Sequence, residues 1–121
     1  MLDRHDRVVR RFAEACRRGD VTALAAVLDA EAVATGDGGG LVPGPDGPAH
    51  GAADVARMVV TWLCGRAGTE LTVESVNGRA GLALRRGSRA VAVVGAETAG
   101  AKVTALWIVL NPAKLGGWHR G

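Results

Sequence analysis

Apolar residues recur at spacings of three and four over the first eighteen residues, with charged residues between them. This period is typical of an amphipathic helix, which we predict over residues 3–18, with Gly19 ending it. Asp20 is a preferred N-cap residue and predicts a second, shorter helix from residue 21 to about residue 28. The helical period returns in the middle of the chain and predicts a third helix over residues 52–66.

Four apolar segments separated by tight-turn residues follow the third predicted helix. Asn77-Gly78 is a strong two-residue hairpin signal, and Pro112 ends the last segment because proline cannot donate to a ladder. We therefore predict antiparallel strands, which cover residues 70–76, 79–85, 89–98 and 102–110. A further short strand is predicted over residues 30–35. Helices first and a run of strands afterwards predict the α+β class.

A loop rich in glycine and proline separates the short first strand from the third predicted helix and covers residues 36–51. Asp37 stands immediately before Gly38, Gly39 and Gly40, and glycine admits backbone conformations and close approaches that a Cβ would prevent. A carboxylate at such a position has two interpretations. It is either an acid–base group at the edge of a ligand site or an Asx-type cap of the glycine turn.

The length and composition predict a single domain over residues 1–121, with residues 116–121 as a frayed tail. Hydrophobic residues make up 48% of the chain, which excludes an intrinsically disordered protein. The net charge is only +3, and the arginines of the first helix alternate with acidic residues, which argues against direct nucleic-acid binding. With no apolar run of membrane-spanning length and no signal peptide, we expect a cytoplasmic protein that does not contact a membrane.

The two cysteines, Cys16 and Cys64, fall in predicted helices and have neither metal-ligand spacing nor a CxxC arrangement. We expect buried free thiols in a reducing compartment. The histidines also lack a partner at metal-ligand spacing. The sequence therefore predicts neither a metal site nor a cofactor.

Four short motifs in the chain occur in the same order in a known family. They are DGGG at residues 37–40, VNGRAGL at 76–82, AVAVV at 90–94 and NPAKL at 111–115. The order of elements resembles the SnoaL-like branch of the nuclear transport factor 2-like superfamily. The four motifs are similar to the C-terminal SnoaL-like domain of actinobacterial extracytoplasmic-function sigma factors, and the resemblance covers nearly the whole chain.

The resemblance implies a cone, in which a strongly curved sheet wraps around N-terminal helices and encloses a pocket. In the sigma-factor family this domain follows two DNA-binding sigma domains, contacts them and adjusts their activity. Those sigma domains are not in this sequence, which is either an excised domain or a free-standing relative. The resemblance therefore implies a regulatory or binding role and not promoter recognition.

Several residues are candidates for the functional site. Asp37 lies close to the position where ketosteroid isomerase-like members of the superfamily carry a general base, and His50 is a candidate acid–base partner or a surface loop residue. Ligand-binding or interface candidates are Gly38, Gly39, Gly40, Trp62, Glu97, Trp107, Asn111 and Lys114. Glu74 is expected on a solvated face and Glu97 on the face of apolar strand residues.

The strand that carries Trp107 is apolar on both faces, which predicts that something covers its outer side. Sheets of this superfamily often pair there, so we expect a homodimer. Asn111 and Lys114 belong to the tail motif and are interpreted either as a strand-ending turn or as a contact surface for a sigma domain.

Two functions remain open at this point. The first is a regulatory or binding domain that holds a small apolar ligand or a protein partner, such as a sigma factor in trans. The alternative is a cofactor-free polyketide cyclase or ketosteroid isomerase-like enzyme, in which Asp37 abstracts a proton next to the carbonyl of a lipophilic compound. The side to which Asp37 points distinguishes the two.

Overall fold

Three helices and a six-stranded sheet make up the part of the chain that the computed structural model describes, residues 3–37 and 48–119. Helix α1 spans Arg4–Arg18, α2 spans Val21–Val27 and α3 spans Ala52–Leu63. The predicted cap at Asp20 is present, and Asp3 caps α1 instead of opening it. The backbone N–H of Asp6 donates to the Asp3 carboxylate at 2.8 Å, and that of Ala23 donates to the Asp20 carboxylate at 3.0 Å. No helix within the described ranges is long and apolar enough to cross a membrane.

The six strands form one open, mixed sheet. They are β1 Leu28–Asp37, β2 Ala49–His50, β3 Thr69–Val76, β4 Arg79–Arg86, β5 Arg89–Ala99 and β6 Lys102–Val109. Their spatial order is β2-β1-β6-β5-β4-β3. The pairs β3–β4, β4–β5 and β5–β6 are antiparallel neighbours, whereas β1 pairs with β6 in parallel. The α+β class and the cone-like arrangement of a sheet against the N-terminal helices are confirmed.

The differences from the predicted elements lie mainly around the glycine-rich loop. Strand β1 starts earlier and ends later than predicted, and the predicted loop contains β2, which pairs antiparallel with β1. Helix α3 ends at Leu63, and Gly65 beyond it adopts a φ of 69°. Gly38, Gly39 and Gly40 lie outside the described residues.

The helices cover one side of the sheet, called here the inner face. Leu82, Val94 and Ile108 project from β4, β5 and β6 into this side, and each is at most 1% exposed. They meet apolar side chains of all three helices. The fully buried residues supplied by the helices include Phe12, Leu24, Val55 and Val59. This interface forms the main core, and its inner positions are filled with apolar side chains.

The opposite side of the sheet, called here the outer face, is partly covered by the C-terminal tail, residues 112–119. The tail forms two short 3-10 turns, Pro112–Lys114 and Gly116–Trp118. Leu115 is buried, and with Trp118 it packs in a second apolar cluster. That cluster includes Val76, Ala90, Val93 and Val109. The expectation of a frayed tail from residue 116 therefore does not hold as far as His119, because apolar burial and hydrogen bonds fix it.

A buried ion pair on the outer face holds the tail. Arg85 Nη2 donates to Glu74 Oε1 at 2.8 Å, and the two side chains are only 7% and 19% exposed. Arg85 Nε–H also donates to the Trp118 carbonyl at 3.0 Å, and the backbone N–H of Ala90 donates to His119 Nδ1 at 2.8 Å. The hydrogen bond with Glu74 raises the pKa of Arg85. Glu74 does lie on the outer face as predicted, but it is paired and not simply solvated.

We expect Glu74→Gln to lower the free energy of unfolding by about 3 kcal/mol, because it leaves the Arg85 charge buried without its counter-charge. Urea denaturation of the unmodified chain and of Glu74→Gln measures this difference. The matched control is Glu97→Gln, which neutralises an exposed carboxylate of the outer face and should change stability by less than about 0.5 kcal/mol. Equal stabilities for the two variants would contradict the structural importance of the pair.

The position of Trp107 depends on a glycine in the neighbouring strand. Gly95 lies opposite Trp107 in the β5–β6 register, and a Cβ on Gly95 would come within 2.0 Å of Trp107 Cε2. No real Cβ tolerates that distance, so the indole lies directly over the backbone of β5. The absence of a side chain at Gly95 is therefore what allows a tryptophan to lie flat on the outer face.

We expect Gly95→Ala to destabilise the protein by about 1–3 kcal/mol, because the new methyl group must displace the indole or the strand. Thermal and urea unfolding measure the loss. Gly116→Ala serves as the control, since no atom lies within 4 Å of a Cβ placed there. If Gly95→Ala were as stable as Gly116→Ala, the close packing of Trp107 on β5 would be wrong.

Candidate functional site

Asp37 lies at the last position of β1 and belongs to the outer face. In the parallel β1–β6 register it is level with Val109, an outer-face residue. Its neighbour Gly36 lies on the inner side, where a Cβ would contact Met58 Cε at 3.3 Å and Trp62 at 3.5 Å. Because successive strand residues point to opposite faces, the Asp37 carboxylate points away from the helices.

Lys114 lies next to Asp37 and pairs with it. Lys114 Nζ is 2.5 Å from Asp37 Oδ2, across 77 residues of sequence. Asn111 orients this turn, since its side-chain oxygen accepts from the backbone N–H of Ala113 at 3.1 Å, and Leu110 N–H donates to the Asp37 carbonyl at 2.7 Å. Asp37 of the first motif and Lys114 of the last therefore meet in space. This contact gives a physical reason for both motifs to occur together.

The ion pair holds Lys114 beside Asp37 but adds little to the stability of the fold. The Lys114 and Asp37 side chains are 61% and 37% exposed, and pairs as exposed as this one are worth at most about 1 kcal/mol. A paired ammonium also makes a carboxylate a weaker proton acceptor, whereas a general base near neutral pH needs a carboxylate away from cations. The geometry therefore suits a structural or contact role for Asp37 better than proton abstraction.

A shallow apolar depression, called here the outer slot, lies beside this ion pair. It has a volume of about 270 Å³. Its lining residues come from β3, β5, β6 and the tail: Val76, Asn77, Val93, Trp107, Val109, Lys114 and Trp118. Both indoles are half-buried, so each keeps an exposed edge. The combination of aromatic edges with a flanking charged pair is typical of a protein contact surface.

Four of the predicted site residues come together here, and three do not. Asp37, Trp107, Asn111 and Lys114 lie at one edge of the outer face. His50 is exposed on β2 opposite Val33, which places it roughly 13 Å along the strand from Asp37. No acid–base dyad is formed by these two residues at that separation.

Trp62 and Glu97 are also apart from this edge. Trp62 is half-buried on α3 and packs against the inner side of β1 near Gly36. Glu97 is exposed on the outer face at the other end of β5, opposite Ala105. Neither residue lines the outer slot.

Two features of the structure were not predicted: the residues that hold the tail, and a buried histidine. Arg85 and Trp118 were not recognised as partners, although an apolar tail after Pro112 is a signal that could have indicated docking. His5 was expected on the charged face of α1 but is 7% exposed. Its ring nitrogens lie 2.9 Å from the Thr98 hydroxyl and 2.9 Å from the Ala80 carbonyl, which anchors α1 to the sheet.

No group of three or more His, Cys, Asp or Glu side chains that could hold a metal ion is found among residues 3–37 and 48–119. The titratable side chains of the outer-slot region are those of Asp37 and Lys114, which neutralise each other.

The fold resembles several solved structures. The extracytoplasmic function sigma factor SigJ of Mycobacterium tuberculosis has a TM-score of 0.68 and 27% identity, over 91% of this chain and 43% of its own. A candidate ketosteroid isomerase from Kribbella flavida has a TM-score of 0.60 and 16% identity, over 88% of this chain and 76% of its own. An LEH-like epoxide hydrolase of M. tuberculosis has a TM-score of 0.55 and 17% identity, over 96% of this chain and 89% of its own.

The sequence comparisons add nothing to these structural matches, since no protein-family model and no curated protein matches the chain. The chain spans less than half the length of the sigma factor, and its likeness to the two enzyme-like structures is one of fold alone. The chain has the nuclear transport factor 2-like fold, and within that fold it resembles the C-terminal domain of an extracytoplasmic function sigma factor.

Proposed function

We propose that this chain is a regulatory domain that binds the sigma domains of an extracytoplasmic-function sigma factor through its outer face. The contact surface consists of the outer slot and the Asp37–Lys114 pair at its edge. The sigma domains belong either to a separate polypeptide or to a longer one that includes this domain. The observation that carries the proposal is the ion pair, because it joins Asp37 of the first motif to Lys114 of the last on the outer face.

The chemistry of this surface favours a protein over a small ligand. The outer slot holds about 270 Å³, which is below the usual range of pockets that enclose a drug-sized molecule. Exposed edges of Trp107 and Trp118 offer the aromatic area that protein interfaces use as binding anchors. The inner face, where a cone-shaped relative would hold a ligand, is packed with apolar side chains between the helices and the central strands β5 and β6.

The similarity to SigJ supports the identity of the partner. It extends over nearly all of this chain but over only 43% of the sigma factor. In the sigma-factor family that the chain resembles, the remaining part would hold two DNA-binding sigma domains. A domain of this kind would therefore have those sigma domains as its natural neighbours.

We expect Lys114→Glu to raise the Kd for the sigma domains about tenfold, equivalent to about 1.4 kcal/mol, because it replaces an attractive pair with repulsion at the contact edge. The probe is the part of M. tuberculosis SigJ that lies outside the region of similarity. Biolayer interferometry with the purified chain measures the Kd.

Arg57→Glu is the matched control for Lys114→Glu. Arg57 forms an equally short pair, 2.5 Å to Asp54, on the exposed side of α3, far in the fold from the outer slot. This variant should bind the sigma domains as the unmodified chain does. No measurable binding by the unmodified chain, or equal losses for both variants, would contradict the proposed surface.

A second candidate function is a cofactor-free isomerase or cyclase. One observation favours it: the Asp37 carboxylate lies beside an apolar slot with two indoles. A lipophilic ketone with an exchangeable proton next to its carbonyl tests this function. In this case Asp37→Asn should reduce proton exchange at least about a hundredfold, because general-base catalysis contributes that much. Exchange followed by NMR in deuterated water provides the measurement, and undiminished exchange in Asp37→Asn excludes Asp37 as the base.

A further inference from the structure

The two cysteines of the chain meet where α1 and α3 end. Cys16 lies in the last turn of α1, and Cys64 follows the last residue of α3, 48 residues later. The Cys64 thiol donates to the Cys16 carbonyl oxygen at 3.2 Å. The Cys64 thiol is therefore in direct contact with Cys16, although nothing in their sequence spacing predicts it.

Both thiols line a cavity that opens to solvent. The cavity has a volume of about 410 Å³ and lies between the ends of α1 and α3 and the inner side of β3 and β4, at Leu71 and Leu84. Arg17 and Arg66 also line it, and their positive charges favour a thiolate. A small polar molecule can therefore reach Cys64 without unfolding the domain.

The two thiols differ in exposure and in acidity. Cys16 is 3% exposed, whereas Cys64 is half-buried. Their mutual hydrogen bond raises the pKa of Cys16 and lowers the pKa of Cys64. Cys64 is thus the accessible group that ionises first, and Cys16 is a protected thiol held against it.

We propose that Cys16 and Cys64 form a reversible oxidation site, in which a hydroperoxide oxidises Cys64 and Cys16 then closes an intramolecular disulfide. This site lies at the inner side of the sheet, away from the outer slot, and does not depend on the proposed function. The disulfide links the C-terminal ends of α1 and α3.

The chemistry balances with hydrogen peroxide as the oxidant. The Cys64 thiolate attacks one peroxide oxygen, so that an S–O bond forms, the O–O bond breaks and the departing hydroxide takes a proton to become water. The Cys16 sulfur then attacks the Cys64 sulfur, the S–O bond breaks, and the departing hydroxide takes the Cys16 proton as a second water. The two cysteines lose two electrons, which reduce one peroxide to two waters.

The test uses the full chain, which contains only these two cysteines. The chain is treated with hydrogen peroxide, quenched with catalase, denatured, alkylated with iodoacetamide and digested for mass spectrometry. We expect one linked pair of cysteine peptides that has lost two hydrogens, no alkylation of either cysteine and a monomer on a non-reducing gel. Dithiothreitol should restore both alkylation sites, and the oxidised protein should have a higher Tm because the unfolded chain is constrained.

Two variants separate the roles of the thiols. In Cys16→Ala, oxidised Cys64 has no partner, so a 1,3-dione should trap it as a sulfenic acid. In Cys64→Ala, Cys16 should stay reduced at the same peroxide concentration because it is buried. The measurement on the unmodified chain needs neither variant to fold.

Three results would overturn the proposal. They are full alkylation of both cysteines after peroxide treatment, disulfides that form only between chains, and cysteines that gain oxygen without joining. The last would show that the two sulfur atoms are too constrained to bond within the folded domain.

Discussion

The parallel pairing of β1 with β6 is the constraint on which the candidate site depends. Strand β1 precedes the glycine-rich loop, and β6 ends the antiparallel meander, so the two come from opposite ends of the fold. In a parallel pair the carboxyl ends of both strands lie at the same edge of the sheet. That geometry places Asp37 level with Val109, and the chain that leaves β6 carries Lys114 back to it.

Small residues alternate with large ones on the outer face, and the large side chains pack there because the small ones leave room for them. Gly95 leaves room for the Trp107 indole, and Gly81 and Ala83 lie on the same face as Arg85 and Glu74. The long Arg85 and Glu74 side chains pair on this face, and Arg85 also donates to the Trp118 carbonyl. The tail is then fixed, and its position closes one side of the outer slot. The shape of the contact surface thus follows from which strand residues lack side-chain volume.

Local patterns were enough to predict most of the secondary structure. The three helices follow from caps and apolar period, and the meander from turn residues such as Asn77-Gly78, because these signals act between near neighbours in sequence. The pairing of β1 with β6 and the two-residue strand β2 carry no such signal. Both depend on contacts between distant segments, which a single sequence does not reveal.

The site was predicted only in part, because its residues also come from segments that are distant in sequence. The motif residues Asp37, Asn111 and Lys114 were named, but nothing local shows that they meet. Arg85 and Glu74 were not paired because they are offset by four residues in the β3–β4 register, roughly 13 Å, which exceeds the usual range of cross-strand neighbours. Long side chains that extend along the strands bridge this offset.

The orientation of Asp37 changes what its motif means. A carboxylate on the inner face would be shielded by α3 and could have its pKa raised by burial, as a general base requires. One residue of register moves it to the outer face, where it meets a lysine and water instead. A shift of one residue at the end of β1 therefore decides whether a carboxylate there lies against the helices or at the surface. In this chain the residue that faces inward is Gly36, which has no side chain to place beside Met58 and Trp62.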